Sequence, residues 1–595
     1  MQHDNLFGST REYAQTIGDQ NAIVFLPDGP GSAVRTELSY AGLDLRSRRL
    51  ASWLQEHRTA GDRVLLLYPP GAAFVTAFFG CLYAGMIPVP APLPAGDGKG
   101  KVDRLRTIVN AAGCSVLFTD HANLADLQEQ LAELIDNDIL CAATDADDLG
   151  DADSWREPVI RPETLALLQF TSGSTSEPRG VMVSHGSLWH NLGLIKQTFG
   201  LPTGAKVASW LPHYHDMGLI GGSLSSIFLG GTLSLMSPMS FLRDPYRWLD
   251  LIDSEGIDIS PAPNFAYDLC VRRIKPAQVE QLDLSRWRHA LNGAEPVDPA
   301  TLKRFELHFA AAGLKPETIR PCYGMAEVGL LVTGTDENRR PKPVRVDAAD
   351  IERRRFTPTD DLAAGRELIS SGPVPTGFDL RIVDPDSRTP LEDGRIGEIW
   401  LAGPSVALGY WGKPDESAAV FDAYTSDDEG PYLRTGDLGV CHDGDLYITG
   451  RIKELIIVNG RNIYPQDLER RLGLLHPALA EGASAAFGVP GDGAERIIVV
   501  QEIRTAGAAA PTELQQLADL VKSELSAYAG SPVANVCFVK RGGVLRTTSG
   551  KVRRTSMREL FVTDGLQPHF EDLEPSIKKL HRATKPLEAL AGAGV

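Results

Sequence analysis

The densest run of side chains able to do chemistry is Thr171-Ser172-Gly173-Ser174-Thr175-Ser176-Glu177-Pro178-Arg179-Gly180, placed between the apolar stretch 165–170 and Val181-Met182-Val183. Glycines let backbone N–H groups approach an anion and successive hydroxyls add donors, so the loop can cradle polyphosphate. It lacks the G-K-[ST] ending of a P-loop, and by composition alone a solvated Ser/Thr turn reads the same way. At long range follow Asn292-Gly293-Ala294-Glu295, Tyr323-Gly324-Met325-Ala326-Glu327, Thr435-Gly436-Asp437, Gly450-Arg451-Ile452-Lys453-Glu454 and Thr548-Ser549-Gly550-Lys551. Lys551 opens the basic run Lys551-Val552-Arg553-Arg554; a flexible ammonium on a glycine-flanked loop can be swung into a site, although such runs are usually solvated faces. His213 and His215 stand two apart with no third ligand motif, which argues against zinc.

These motifs need a scaffold. Strand-length apolar runs at 63–68, 115–119, 165–170, 206–211, 232–236, 257–261 and 289–292 alternate with helix-period segments, the pattern of parallel sheets covered by helices. From residue 370 the texture shifts to short strands (378–383, 397–402, 447–449, 455–458), a β-rich subdomain. Beyond Gly450 the pattern predicts helix 465–475, strands 483–489 and 496–503, helix 513–528 and strand 536–539, a small α+β module. The residues from Leu566 onward carry mixed charge and an Ala-Gly end, and are expected to pack weakly.

Composition narrows the function. The 595 residues assure a sizeable core, and 59 Lys and Arg against 77 Asp and Glu give a net charge of −18, so no footprint for nucleic acid or an anionic membrane is visible. The seven cysteines contain no C-x-x-C pair and no disulfide framework, which suits a reducing compartment; no secretory signal is read at the start, and the cytoplasm is expected. Residues 64–96 hold no charge, but Pro69, Pro70, Pro88, Pro90, Pro92 and Pro94 break the stretch, so a strand and a buried helix are expected rather than a membrane span.

The ordered motifs resemble the adenylate-forming superfamily of acyl-CoA synthetases, luciferases and peptide-synthetase adenylation domains, over roughly residues 10–560. Leu211-Pro212-His213-Tyr214-His215-Asp216-Met217-Gly218-Leu219, Gly403-Pro404-Ser405-Val406-Ala407-Leu408-Gly409-Tyr410-Trp411 and Gly460-Arg461-Asn462-Ile463-Tyr464-Pro465-Gln466-Asp467-Leu468-Glu469 look like its fatty acyl-AMP ligase branch. The resemblance implies an α/β adenylate-forming fold with two βα-layered N-terminal subdomains, a β-rich subdomain and a small mobile C-terminal domain. Domains are expected at 1–452 and 453–565, with a tail at 566–595.

The implied reaction is ATP-dependent activation of a long-chain fatty acid to acyl-AMP with release of pyrophosphate, then acyl transfer to the thiol of a holo acyl carrier protein. Thr171, Ser172, Gly173, Ser174 and Thr175 would hold the phosphates, and Thr171 with Glu327 would place Mg²⁺. Tyr323, Gly324 and Met325 with Gly293 and Ala294 would enclose adenine, while Asp437 and Arg451 would take the ribose. Lys551 would be the adenylation lysine, and His215 would stand at the mouth of the acyl tunnel, with an amino-acid substrate held by Asp216 as a minor alternative. Two departures stand out: Arg179 replaces a common lysine, and 335–366 looks like a separately folded insertion that marks acyl-AMP ligases off from CoA-using enzymes. The alternatives are an acyl-CoA synthetase and a catalytically silent adenylate-binding protein. Retention of Thr171, Glu327, Asp437 and Lys551 speaks against silence.

Overall fold

A computed structural model describes residues 4–28, 35–94, 99–131, 139–145, 149–171, 178–336, 339–341, 343–362, 365–458, 461–491, 495–504, 510–547 and 550–581. Its largest sheet has eight strands in the order Leu331–Gly334, Ile319–Gly324, His289–Asn292, Ile259–Ala262, Val207–Ser209, Leu233–Met236, Asn21–Leu26 and Thr36–Ser39. The six inner strands run parallel, while an antiparallel partner closes each edge. The inner strands are buried apolar runs, as expected where helices cover both faces. In such sheets ligands bind beyond the carboxyl ends of the strands. Here those ends lead into Trp210–Asp216, Pro263–Phe265, Gly293–Glu295 and Met325–Glu327, so three of the motifs, spread over more than a hundred residues of sequence, emerge on one rim with Pro263–Phe265.

A second parallel sheet is ordered Ile87–Ala91, Arg63–Leu67, Val116–Thr119, Leu140–Ala143. The apolar stretch near residue 70 folds as the buried helix Ala72–Ala84, and among the described residues no helix is long and apolar enough to cross a membrane. The prolines that end this stretch do not end the sheet: Pro88 and Pro90 lie inside Ile87–Ala91, which occupies an edge where the lost ladder donors cost least. Leu165–Thr171 and Arg179–Ser184 form an antiparallel hairpin with Thr171 opposite Arg179.

The β-rich region is a four-stranded antiparallel sheet, Asp379–Val383, Gly397–Ala402, Leu433–His442 and Asp445–Arg451. Segment 335–366 is not separately folded. Pro343–Asp347 and Gly365–Ile369 pair as a hairpin around the short helix Ala348–Glu352, and Val346, Ile351, Phe356 and Leu368 share one core with Leu438, Val440 and Tyr447 of that sheet. The hairpin therefore needs the neighbouring sheet to bury its apolar face.

The last sheet joins Leu479–Pro490, Glu495–Ile503, Asn535–Val539 and Phe570–Asp572. Pro465–Leu475 and Pro511–Ala529 cover one face, and Arg554–Val562 packs on the other. The weakly packed tail is corrected as far as His581: Phe570–Asp572 adds an edge strand, and Leu566, Leu573 and Ile577 are buried. The apolar residues alternating with charge there close the outer core, which composition alone concealed.

Candidate active site

A cleft of about 1340 Å³ opens between the rim of the large sheet, the β-rich sheet and the C-terminal module. Single-ligand pockets run to ~1,000 Å³, so this volume suits a nucleotide together with a second group. Thr171, His215, Gly293, Ala294, Tyr323, Gly324, Met325, Glu327, Asp437, Arg451 and Lys551 all line it. Ser172, Gly173, Ser174 and Thr175, together with Thr548 and Ser549, lie outside the described residues.

Asp437 and Arg451 face each other across adjacent strands, and this register sets their chemistry. The Arg451 Nε donates to Asp437 Oδ1 at 3.0 Å and the Tyr323 hydroxyl donates to Oδ2 at 2.8 Å. The carboxylate thus has both oxygens engaged in a buried position and retains lone pairs for a further donor. Asp437 beside Arg451 raises the guanidinium pKa, while burial and the Asp437 charge raise that of Tyr323.

Ala294 takes φ +67°, a left-handed conformation rare for a residue with Cβ and frequent at sites where the fold over-determines the backbone. Gly293 is required for a reason other than ligand approach: a Cβ there would lie 2.8 Å from Cys322 Sγ. Glu327 sits in the turn Ala326–Val328, where its carboxylate accepts from the Tyr410 hydroxyl at 2.9 Å. Burial raises its pKa, the Tyr410 hydrogen bond opposes this, and Asp216 adds repulsion.

His215 Nδ1 lies 2.7 Å from Asp216 Oδ1, which also accepts from the Met217 amide at 2.6 Å. His215 also lines the cleft. Burial alone would raise the Asp216 pKa, but His215 and Lys551 hold it below the ordinary carboxylate range. The chain leaves Asp216 as a buried π-helical segment, Met217–Leu224, a geometry that recurs at functional sites. Met217 and Gly221 line the apolar end of the cleft with Leu330, Leu331, Ile195 and Phe199.

Lys551 enters from the C-terminal module on a tight loop: its amide donates to Thr547 Oγ1 at 3.0 Å and its carbonyl accepts from Thr547 N at 2.8 Å. Gly550 has φ +85°, and a Cβ there would strike the Phe265 ring at 2.5 Å, so glycine both turns the loop and lets it dock. Burial and Arg451 lower the lysine pKa, against Asp216, Glu295 and Asp437, which favour its charge.

Two residues were quoted in the sequence motifs without a role. Glu295 accepts from the Phe265 amide at 2.5 Å and faces Lys551; its place in the strand-end loop beside Gly293 was the available signal. Tyr410, 83 positions from Glu327, offered none.

The AMP-binding enzyme family matches residues 10–411. The chain is 37% identical over 550 residues to a medium-chain-fatty-acid–[acyl-carrier-protein] ligase of Moorena producens, covering 91% of this chain and 92% of that one. It is also 37% identical to a long-chain-fatty-acid–AMP ligase of Mycobacterium tuberculosis, over 94% and 97% of the two chains. The structure of a fatty acyl-adenylate ligase from L. pneumophila, in complex with acyl adenylate and pyrophosphate, superposes with a TM-score of 0.74 at 34% identity over 98% of this chain and 99% of that one. A match of this length, carried by motifs that all open into one cleft, makes the chain a member of the AMP-binding enzyme family of adenylate-forming enzymes.

Proposed function

We propose that the protein is a fatty acid–AMP ligase that activates a medium- or long-chain fatty acid with ATP and passes the acyl group to the phosphopantetheine thiol of a carrier protein in the cytoplasm. The observation that carries this reading is the meeting of Lys551 with Asp437, Glu327 and His215 around one cleft whose far end is apolar.

In the first half-reaction a fatty carboxylate oxygen bonds to the α-phosphorus of ATP, the bond from that phosphorus to the bridging oxygen breaks, and pyrophosphate leaves. Little covalent work falls to the protein, so alignment and charge stabilisation dominate. Lys551 supplies positive charge where carboxylate and α-phosphate meet. Tyr323, Gly324 and Met325 with Gly293 and Ala294 hold adenine, Asp437 with Arg451 holds the ribose, and the loop from Thr171 to Thr175 holds the outgoing phosphates. His215 faces the nascent acyl phosphate.

Glu327 and Thr171 fit Mg²⁺: both offer hard oxygens in the cleft, and the half-buried Glu327 carboxylate feels the charge of a second acid, Asp216, a repulsion that a cation relieves. Among the described residues no three His, Cys, Asp or Glu side chains gather to hold a metal unaided, as suits an ion bound largely by substrate phosphates. Bound there, the ion would neutralise phosphate charge.

In the second half-reaction the carrier sulfur bonds to the acyl carbon, the acyl–phosphate oxygen bond breaks, AMP leaves and the thiol proton passes to solvent. This requires the module after Ile452 to withdraw Lys551, with residues 1–452 as the fixed body and the module from Lys453 through the edge strand Phe570–Asp572 and on to His581 as the moving one. The test is incubation with ATP, Mg²⁺ and a fatty-acid series, scoring acyl-AMP, acyl-CoA and acyl-carrier products side by side. Chain-length-dependent acyl-AMP and acyl-carrier with little acyl-CoA is expected; dominant acyl-CoA would make the protein a synthetase, and nucleotide binding without pyrophosphate exchange would make it a silent binder.

A further inference from the structure

The segment following the β-rich sheet's second strand runs back through the cleft wall and touches two parts of the site at once. The Leu408 and Trp411 amides donate to Met182 O and Gly180 O, and the Met182 amide donates to Gly409 O, which extends the hairpin carrying Thr171 and Arg179 by a third chain. Ala407 N donates to the Glu327 carbonyl at 2.9 Å in the same pass. Gly409, at φ +123° with a would-be Cβ 2.9 Å from Ser417 Oγ, makes the sharp bend that turns Tyr410 inward. Tyr410 is 3% exposed, its ring packs on Phe421, and its amide is fixed by Ser417 Oγ at 2.8 Å. A side chain held so firmly has one orientation to offer. Its hydroxyl donates to Glu327 Oε1 at 2.9 Å, and the Arg179 guanidinium lies over its ring, 5.2 Å from the centroid, while pairing with Glu416.

We infer that Tyr410 is a positioning residue for the phosphate end of the site: its hydroxyl aims the Glu327 carboxylate at the cation and its ring holds the Arg179 guanidinium beside the phosphate loop. The inference rests on the reading that Glu327 holds Mg²⁺ and that the Thr171 loop holds phosphate. A free carboxylate on a turn would sample several orientations, and one hydrogen bond from a buried hydroxyl removes that freedom before the ion arrives. The ring does the same for Arg179 by attraction to its face, while the guanidinium edge pairs with Glu416. The arginine in place of a lysine makes sense here, because a planar guanidinium lies flat on a ring and an ammonium does not.

Two variants separate the two contacts. Tyr410→Phe keeps the ring and its packing while removing the hydroxyl; Tyr410→Leu removes both. Each is measured by Mg²⁺ titration of ATP–pyrophosphate exchange and by calorimetric titration of a non-hydrolysable ATP analogue at stepped Mg²⁺, with melting temperatures recorded alongside. Tyr410→Phe should raise the half-saturating Mg²⁺ about tenfold, the worth of one hydrogen bond to a charged group, leaving the fatty-acid KM and the Mg²⁺-free affinity for the analogue unchanged. Tyr410→Leu should in addition raise the KM for pyrophosphate, through Arg179. In a Glu327→Gln background Tyr410→Phe should add less than twofold, since the hydroxyl then has no carboxylate to aim. Wild-type Mg²⁺ dependence in Tyr410→Phe, or full additivity with Glu327→Gln, overturns the inference. Should Tyr410→Leu fail to fold, Tyr410→Phe decides alone. Absence of exchange in the wild type would overturn the proposed activity instead, and the calorimetric titration would still read the cation site.

Discussion

In the proposed reaction Lys551 is the residue on which adenylation turns, and its surroundings separate its role from that of the rest of the site. Asp216, Glu295 and Asp437 favour its charge while burial and Arg451 oppose it, so the ammonium is held poorly solvated, the state in which it interacts most strongly with an incoming anion. Lys551→Ala should lower acyl-AMP formation by at least a hundredfold, as expected for removal of a preorganised charge, while transfer from supplied acyl-AMP stays within a few-fold. Equal loss in both half-reactions would sink this division of labour. A pH dependence follows from the same environment. The lysine pKa is lowered from its ordinary 10.5, and the protonated form is the useful one, so adenylation should fall on the alkaline side before pH 10.5. Transfer should show no such limb, because thiol deprotonation makes it rise with pH. Adenylation that holds its full rate up to pH 10.5 would exclude Lys551 as the titrating group.

At the scale of elements, the turn Ile452–Glu454 links the β-rich sheet to the C-terminal module, and Lys453 at its centre is exposed. Proline there would fix φ near −65° and restrict Ile452 before it. Lys453→Pro should therefore impair thiol transfer more than adenylation, because the structure already presents Lys551 to the cleft; unchanged transfer kinetics would place the pivot elsewhere. Elements were legible where one periodicity decides them: helix Pro465–Leu475 and strand His289–Asn292 lie where apolar spacing puts them, since a face buried against one neighbour leaves its period in the sequence. The parallel sheet was legible from alternation, but the strand Ile319–Gly324 that brings Tyr323 and Glu327 to the same rim as Gly293 was not, and those residues were grouped only by the resemblance of their motifs. What the sequence concealed depends on contacts between distant segments. Neither the 83-residue gap between Glu327 and Tyr410 nor the 109 between Glu352 and Arg461 leaves any periodic trace. The burial of Leu566, Leu573 and Ile577 was hidden for the same reason, because the sheet edge that accepts them is built elsewhere in the chain.

On the scale of the whole molecule, the proposed reaction makes the choice of acceptor a choice between two arrangements of the C-terminal module. CoA and a carrier present the same thiol, but CoA adds a phosphorylated nucleotide that must be bound or tolerated, whereas a carrier adds a protein surface. The hairpin around residues 343–369 is placed to bias that choice. Glu352 accepts from Arg461 Nε at 2.8 Å and Nη2 at 2.6 Å, its carbonyl accepts from Asn462 Nδ2 at 2.9 Å, and Arg366 pairs with Asp467 at 2.9 Å. These contacts tether the start of the module to the β-rich sheet. Shortening 335–366 outright should raise any CoA-ligase activity if restraint is the mechanism, but it would also strip Val346, Ile351 and Phe356 from a shared core, so an inactive product would speak only of folding. Breaking the buried Arg366–Asp467 pair would strand a charge and cost several kcal/mol. Glu352 is the cleaner target, being partly exposed and bonded to a half-exposed arginine, a contact worth about 1 kcal/mol, or roughly a fivefold shift in population. Glu352→Ala should therefore leave folding and acyl-AMP formation intact and raise the small acyl-CoA yield severalfold, with acylation of a cognate holo-carrier remaining the faster reaction. An unchanged acyl-CoA yield in a folded Glu352→Ala protein would remove this tether as the cause, and robust acyl-CoA synthesis by the intact protein would show that no restraint against CoA exists.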